Sequence, residues 1–327
     1  MTKRNRLLES IAGTIADYRA GEIAVPTPQH VERWIGQFSE NVQDPMLLEL
    51  DHVLKRTYIP KVIVQEFLSS LLKNKALAGS DPCSYWAGVK FLDIQGGGNS
   101  QSEMLRMLGA VLQEEHGLEI RNCGIDPKFY LYLDDAIFTG NRVRSDLSSW
   151  IHSEAPQQAM VHVVTIALHL GGQWYAEGKI HDVAKAEGKR IHLNWWNRIK
   201  IEDRRTYINI TDVLRPTCIP DHSLTQEYAR GLKYGPVLRQ PGNIGGNKFF
   251  SSEQGRHLLE QELLKAGTII RSICPNLIVY QRPLGNMLLD TLGFGSLLVT
   301  FRNCPNNSPL AFWAGDPWYP LFHRKTN

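Results

Sequence analysis

Long apolar runs are missing from this 327-residue chain. No stretch reaches the roughly 18 apolar residues that a membrane-spanning helix needs, and the start lacks a signal-peptide layout, so neither a membrane span nor secretion is expected. Charge of one sign is scarce too: 36 Lys and Arg against 33 Asp and Glu leave a formal net charge of +3. That balance excludes an obvious electrostatic nucleic-acid binder, and direct nucleic-acid binding is not expected. Cysteine is sparse and scattered. Cys83, Cys123, Cys218, Cys274 and Cys304 show no Cys-x-x-Cys spacing, which indicates neither a disulfide framework nor a zinc site and fits a reducing cytoplasm. What the chain does have is core-forming material, 43% hydrophobic residues, enough for one large domain with additions or for two domains.

Organisation centres on residues 129–142, Phe-Tyr-Leu-Tyr-Leu-Asp-Asp-Ala-Ile-Phe-Thr-Gly-Asn-Arg. Five apolar or aromatic residues in a row read as a strand buried on both faces, as in parallel sheets. Asp134 and Asp135 follow where that strand should end, and Thr139-Gly140-Asn141 opens a helix. Such a unit points its polar residues beyond the carboxyl end of the strand, where open parallel sheets bind ligands. The helix start adds free N–H groups that suit a phosphate. A P-loop ATPase also places acids after a strand, but its Gly-x-x-x-x-Gly-Lys-Ser/Thr segment is absent. Tyr132-Leu133-Asp134-Asp135 matches the four letters of a reverse transcriptase palm. That palm needs a second strand at once, whereas Thr139-Gly140 and a helix-like segment follow here.

The segment closely resembles the signature of the type I phosphoribosyltransferase superfamily: a hydrophobic strand, two acids, two apolar residues, a variable residue and Thr-Gly. Asp134 to Asn141 fit in order, and Arg142 departs, standing where a small hydroxyl residue is usual. The resemblance implies that Asp134 and Asp135 hold the ribose hydroxyls of phosphoribosyl pyrophosphate and favour positive charge at the anomeric carbon. It implies that Thr139, Gly140, Asn141 and Arg142 cradle the 5′-phosphate. The loop Gln95-Gly96-Gly97-Gly98-Asn99-Ser100, one strand–helix unit earlier, would receive pyrophosphate. Mg²⁺ is the implied cofactor, held mainly by ligand oxygens.

Taken in order, residues 1–85 read as helical, with stripes such as Val31, Trp34, Ile35 and Phe38. Strands are expected at 89–95, 117–121, 129–133, 161–168 and 190–196, alternating with helices. They predict an α/β fold: a doubly wound, mostly parallel five-stranded sheet over residues 86–200. Residues 201–327 form a C-terminal α+β extension packing on that core. His162 and His169 read as satisfied structural histidines. In the resembled enzymes a long loop closes over the site between the strands, yet only residues 122–128 are available for it. A replacement lid is therefore expected from the 238–248 loop or the 303–324 tail, with Arg239, Lys248 or Arg324 as cation and Trp313 or Trp318 as stacking face.

The ending, especially residues 301–324, is also similar to phosphoribosyltransferase-like proteins of bacterial anti-phage conflict loci. That similarity implies a cytoplasmic toxic effector held by a large ATPase or a reverse transcriptase. The expected ligand is phosphoribosyl pyrophosphate or a nucleotide, cleaved or transferred at the anomeric carbon. The alternative expectation is a non-catalytic sensor or docking subunit that keeps the phosphate cradle.

Overall fold

A computed structural model describes residues 2–97 and 99–324. Helices α1 (Lys3–Thr14), α2 (Pro28–Ile35) and α3 (Glu40–Thr57) lead to strand β1 (Tyr58–Ile59). Next come α4 (Lys61–Leu72), α5 (Lys75–Ala78), α6 (Pro82–Ala87), β2 (Val89–Leu92), α7 (Ser100–His116), β3 (Phe129–Ile137), α8 (Asn141–Ser153), β4 (Gln158–His169), α9 (Leu170–Ala186) and β5 (Arg190–Ile201). The remainder carries α10 (Ser223–Arg230), α11 (Glu253–Ile273), β6 (Gln281–Arg282), β7 (Gly285–Asn286), β8 (Val299–Thr300) and α12 (Leu310–Trp313). Two compact units result, one of residues 62–201 and one joining residues through 61 to those from 202 on. No helix among the described residues is long and apolar enough to cross a membrane.

In the 62–201 unit, β2, β3, β4 and β5 form a parallel sheet in that order. The α/β class and the parallel sheet are therefore as expected, but the sheet has four strands among the described residues, not five. The missing strand is 117–121. Gly117 ends α7 in the left-handed conformation at φ 67°, and Ile120–Asn122 forms a 3₁₀ turn instead of a ladder. Ile120 packs its Cδ1 over Gly109 of α7, 3.1 Å from where a Cβ would stand. An anchored side chain of this kind breaks the two-residue alternation that a strand requires.

Helices cover both faces of the sheet. On one, Val143, Leu147, Trp150 and Ile151 of α8 join Ala176, Ile180 and Ala184 of α9 over Tyr132, Val161 and Val163. On the other, Trp86 of α6 stacks on Phe91 with ring centroids 6.2 Å apart. Its indole N–H donates to Leu72 O of α4 at 2.9 Å. The end of α7 belongs to this second layer: Lys73 and Ser69 of α4 both reach Glu115. β3 is longer than expected and runs through both acids, with Asp134 in register with Thr165.

The other unit brings distant parts of the chain together. β1 pairs in parallel with β8, and Trp34 of α2 donates its indole N–H to Ala311 O at 2.7 Å. Ser252 caps α11, its Oγ accepting from Gly255 N at 3.0 Å. This unit also corrects the expected lid. Arg239 is fully enclosed and ion-paired to Glu260 at 2.8 Å and Glu253 at 2.9 Å. Trp313 and Trp318 are buried, donating to Ser308 O and Ala311 O. The Arg324 guanidinium lies 4.7 Å from the centre of the Trp313 ring. These side chains hold their own unit together, because each buried polar group there needs a partner. Replacing Arg239 by Ala leaves Glu260 with Arg256 as its remaining cation and half-buried Glu253 without one, so Arg239→Ala should lower unfolding free energy by about 2–3 kcal/mol, read by chemical denaturation.

Candidate phosphoribosyl site

β2 and β3 are parallel neighbours with Leu92 opposite Tyr132. Their carboxyl ends therefore emerge together, and the loops that leave them meet. The first loop is shaped from behind by Gln101, a fully buried residue in the first turn of α7. Its Oε1 accepts from the backbone N–H of Ile94 (2.7 Å) and Gln95 (2.9 Å), and its Nε2 donates to Leu133 O of β3 at 3.4 Å. Those two N–H groups leave the ladder, which is why β2 stops at Leu92 and not at Gln95. The Gln95 side chain turns onto Ser100, donating from Nε2 to Oγ at 2.9 Å. Gly96, Gly97 and Asn99 remain exposed; Gly98 lies outside the described residues. Gly96 N–H donates to Asp146 Oδ1 at 3.2 Å, which ties this loop to α8.

The acids occupy different environments. Asp134 is 5% exposed, whereas Asp135 is half-buried. Asp134 accepts from the backbone N–H of Asp135 at 2.9 Å and from the Ser100 hydroxyl. Burial, followed by the neighbouring Asp135 charge, pushes the Asp134 carboxyl up to about 8. Removal from water and a like charge both disfavour ionisation, and here they outweigh the two donors. Asp135 Oδ1 accepts from Ala136 N at 2.8 Å. Below the acids, the Tyr132 hydroxyl donates to Asp146 Oδ2 at 2.9 Å. One α8 carboxylate thus fixes both β3 and the first loop.

The second loop is set by close backbone packing. Gly140 has φ 74° and caps α8. A Cβ on Gly140 would stand 2.2 Å from Gly172 O, and one on Gly172 would stand 1.9 Å from Phe138 O. The 138–140 turn therefore rests directly on the first turn of α9, with no side chain between. Thr139 Oγ1 accepts from Asn141 N at 3.4 Å, while the next amides open α8 without a side-chain cap. Arg142 is exposed, and its Nη1 comes within 3.5 Å of the place a Gly97 Cβ would take. The guanidinium thus leans across from the second loop to the first.

The family follows from one comparison. A model of the PRTase-CE family, phosphoribosyltransferase-type conflict effectors, matches residues 31–324. The chain belongs to this family. No curated protein and no solved structure matches it. The family match spans both units, so the helices from α2 onward and the C-terminal segments belong to the family pattern as much as the sheet does.

The structure thus brings Gln95, Gly96, Gly97, Asn99 and Ser100 beside Asp134, Asp135 and Thr139 to Arg142. Sequence reading missed the residues that hold them: Gln101, Tyr132, Asp146 and Gly172. Asp146 left a signal, being an acid in the stripe Val143, Leu147, Trp150 that faces the core. Gly171-Gly172 at a helix start left another.

Two outcomes follow. Gly172→Ala forces the 138–140 turn away and should lower the melting temperature by at least about 4 °C, as expected for a loss of 2 kcal/mol or more. Asp134, with a folded pKa above its unfolded value, binds more protons when folded between about pH 4 and 8, so its contribution falls as pH rises through that window. Asp134→Asn should therefore melt higher than wild type at pH 8.5, with the gap closing towards pH 5; a constant gap in thermal denaturation would refute the raised pKa.

Proposed function

We propose that this PRTase-CE protein is an enzyme acting at the anomeric carbon of a phosphoribosyl metabolite or nucleotide, and that it serves as a toxic effector in bacterial anti-phage defence. The observation that carries the reading is the meeting of the glycine loop and the Thr139–Arg142 turn around Asp134 and Asp135. Half-buried Asp135 accepts hydrogen bonds from the ribose hydroxyls. Asp134, enclosed beside it, accepts from Ser100 and so anchors the glycine loop, while Asp135 favours the positive charge that develops at the anomeric carbon. The α8 N-terminus and Thr139 receive the 5′-phosphate. Arg142 spans the two loops and pairs with phosphate oxygens of either group, a task for which a planar guanidinium is suited.

The donor set fits Mg²⁺ carried on the ligand: Asp134 and Asp135 are adjacent carboxylates, and the neighbouring loops offer amides and hydroxyls to the ligand's remaining oxygens. Bound there, the ion would neutralise charge on a pyrophosphate leaving group. The family's designation as conflict effectors supports the defence setting. A large ATPase or a reverse transcriptase is the proposed partner, and the cytoplasm the proposed site of action.

One observation favours the second reading, a non-catalytic nucleotide sensor. Residues 122–128 are pinned at the amino end of β2, with Gly124 N bonded to Ala87 O and Lys128 N to Gly88 O. A segment pinned there does not close over the acids, although anomeric chemistry calls for water to be excluded.

The deciding experiment incubates the protein with phosphoribosyl pyrophosphate and a panel of nucleotides, with and without Mg²⁺. Asp134→Asn/Asp135→Asn should reduce turnover by about 100-fold or more, in line with loss of a main electrostatic group, with no loss of melting temperature. Ligand binding without turnover in the wild type would establish the sensor, and full turnover by the double variant would overturn the enzyme reading.

A further inference from the structure

The 62–201 unit holds a second concave site that the phosphoribosyl reading leaves unused. It is a cavity of about 360 Å³ walled by Tyr85, Phe129, Met160, His162, Asn194 and Trp196. Phe129 opens β3, while Asp134 lies further along the same strand, about 16 Å away at the rise of an extended chain. The cavity therefore sits towards the amino ends of the strands, away from the two loops. It also lies on the sheet face opposite α8 and α9. Leu131 is in register with His162, and His162 with Asn194, so Phe129, Met160, His162, Asn194 and Trp196 project to one side.

Its polar groups have a defined direction. The Trp196 indole N–H donates to His162 Nδ1 at 3.0 Å. An indole nitrogen only donates, so Nδ1 carries the lone pair. Burial pushes the His162 pKa down to about 4, and the neutral ring then holds its proton on Nε2. That N–H donates to the Tyr85 hydroxyl oxygen, 3.1 Å away. His162 is satisfied, as its sequence context suggested, and the relay leaves the Tyr85 O–H proton without an acceptor among the described residues. The Asn194 amide also makes no hydrogen bond among them, although it is half-buried in the wall. Aromatic surface surrounds these open groups: the Tyr85 and Phe129 ring centres are 5.0 Å apart at 32°, and Trp196 forms a further wall. Along β5 the same alternation that places Asn194 and Trp196 here places exposed Arg190, His192 and Arg198 on their side, and the strand contains no acid.

We propose that this cavity binds the base of a nucleotide, with the phosphate against the β5 cations. An apolar side chain from a peptide would fill the aromatic walls but leave the Asn194 amide and the Tyr85 proton unpaired, which is unfavourable. A base supplies what both groups lack. It has a flat face for the rings, worth about 1–3 kcal/mol in known stacking sites, and an edge pairing one donor with one acceptor, which an Asn amide matches. The volume lies within the range of small-ligand pockets.

The test titrates the full-length protein with AMP, GMP, CMP and UMP, following tryptophan fluorescence and calorimetry. At least one monophosphate should bind saturably and quench emission. Asn194→Ala and Tyr85→Phe should each weaken it about 10-fold, near the 1.4 kcal/mol expected of one lost hydrogen bond, without a change in melting temperature. Arg198→Ala should weaken the monophosphate and leave the matching nucleoside unaffected. Asp134→Asn/Asp135→Asn should leave the affinity as in wild type, which separates this site from the phosphoribosyl site. A short single-stranded oligomer of the preferred base distinguishes the source. Affinity equal to the monophosphate's assigns a free nucleotide, and a gain assigns the end of a strand; both uphold a base site. No binding of any monophosphate below about 5 mM, wild-type affinity in both Asn194→Ala and Tyr85→Phe, or loss of binding in the Asp134/Asp135 double variant would overturn the proposal.

Discussion

A carboxyl group enclosed at the end of a parallel strand is the constraint on which the candidate site depends. Asp134 has little contact with water and stands beside a second acid, so either its ionised form finds donors or it keeps its proton. The protein does some of both. The Asp135 amide and Ser100 supply donors, and the remaining imbalance appears as a raised pKa. Because Ser100 starts α7 and Gln95 bonds to Ser100, the same carboxyl reaches into the shape of the glycine loop. Asp146, bonded to Tyr132 and to Gly96, fixes that loop from the other side. The acids and the loop thus form one hydrogen-bonded assembly held by α7 and α8.

How much of this was legible depends on whether the cause was local. The Asp-Asp–Thr-Gly unit and the glycine loop announce themselves because each is fixed by neighbours in sequence. The strand expected at 117–121 fails for a non-local reason: Ile120 finds Gly109 on the preceding helix, and no residue within 117–121 reveals that. Asp134 and Asp135 likewise read as following their strand, since acids have low strand propensity. Register with β4 overrides that propensity and carries the ladder to Ile137. The buried states of Arg239, Trp313 and Trp318 were least accessible, because cations and aromatics in a proline- and glycine-rich context look alike whether they cover a ligand or lock a core.

Gly140 and Gly172 illustrate a different limit. A glycine in a turn is readily explained by its own conformation, and Gly140 at φ 74° satisfies that account. Gly172, inside a helix, has no such need. It is required because another stretch of backbone, at Phe138, occupies the space of its side chain. The contact fixes the 138–140 turn to α9 as well as to α8, so the second loop is as firmly seated as the first.

Arg142 brings these threads together. In the phosphoribosyltransferase signature that this segment resembles, a small hydroxyl residue usually stands at this position. A guanidinium in its place has a longer reach, and the glycine loop is the surface it reaches. The Arg142 Nη1 lies 3.5 Å from the place a Gly97 Cβ would take, in contact range of the loop. The glycine loop and the guanidinium thus stand side by side near the same pair of acids. The departure from the signature therefore need not mark a degenerate site. Under the proposed function it would shift phosphate recognition from a single hydroxyl inside the turn to a charged bridge between the loops, and such a bridge would do part of the work of a mobile lid that the short, pinned 122–128 segment cannot perform.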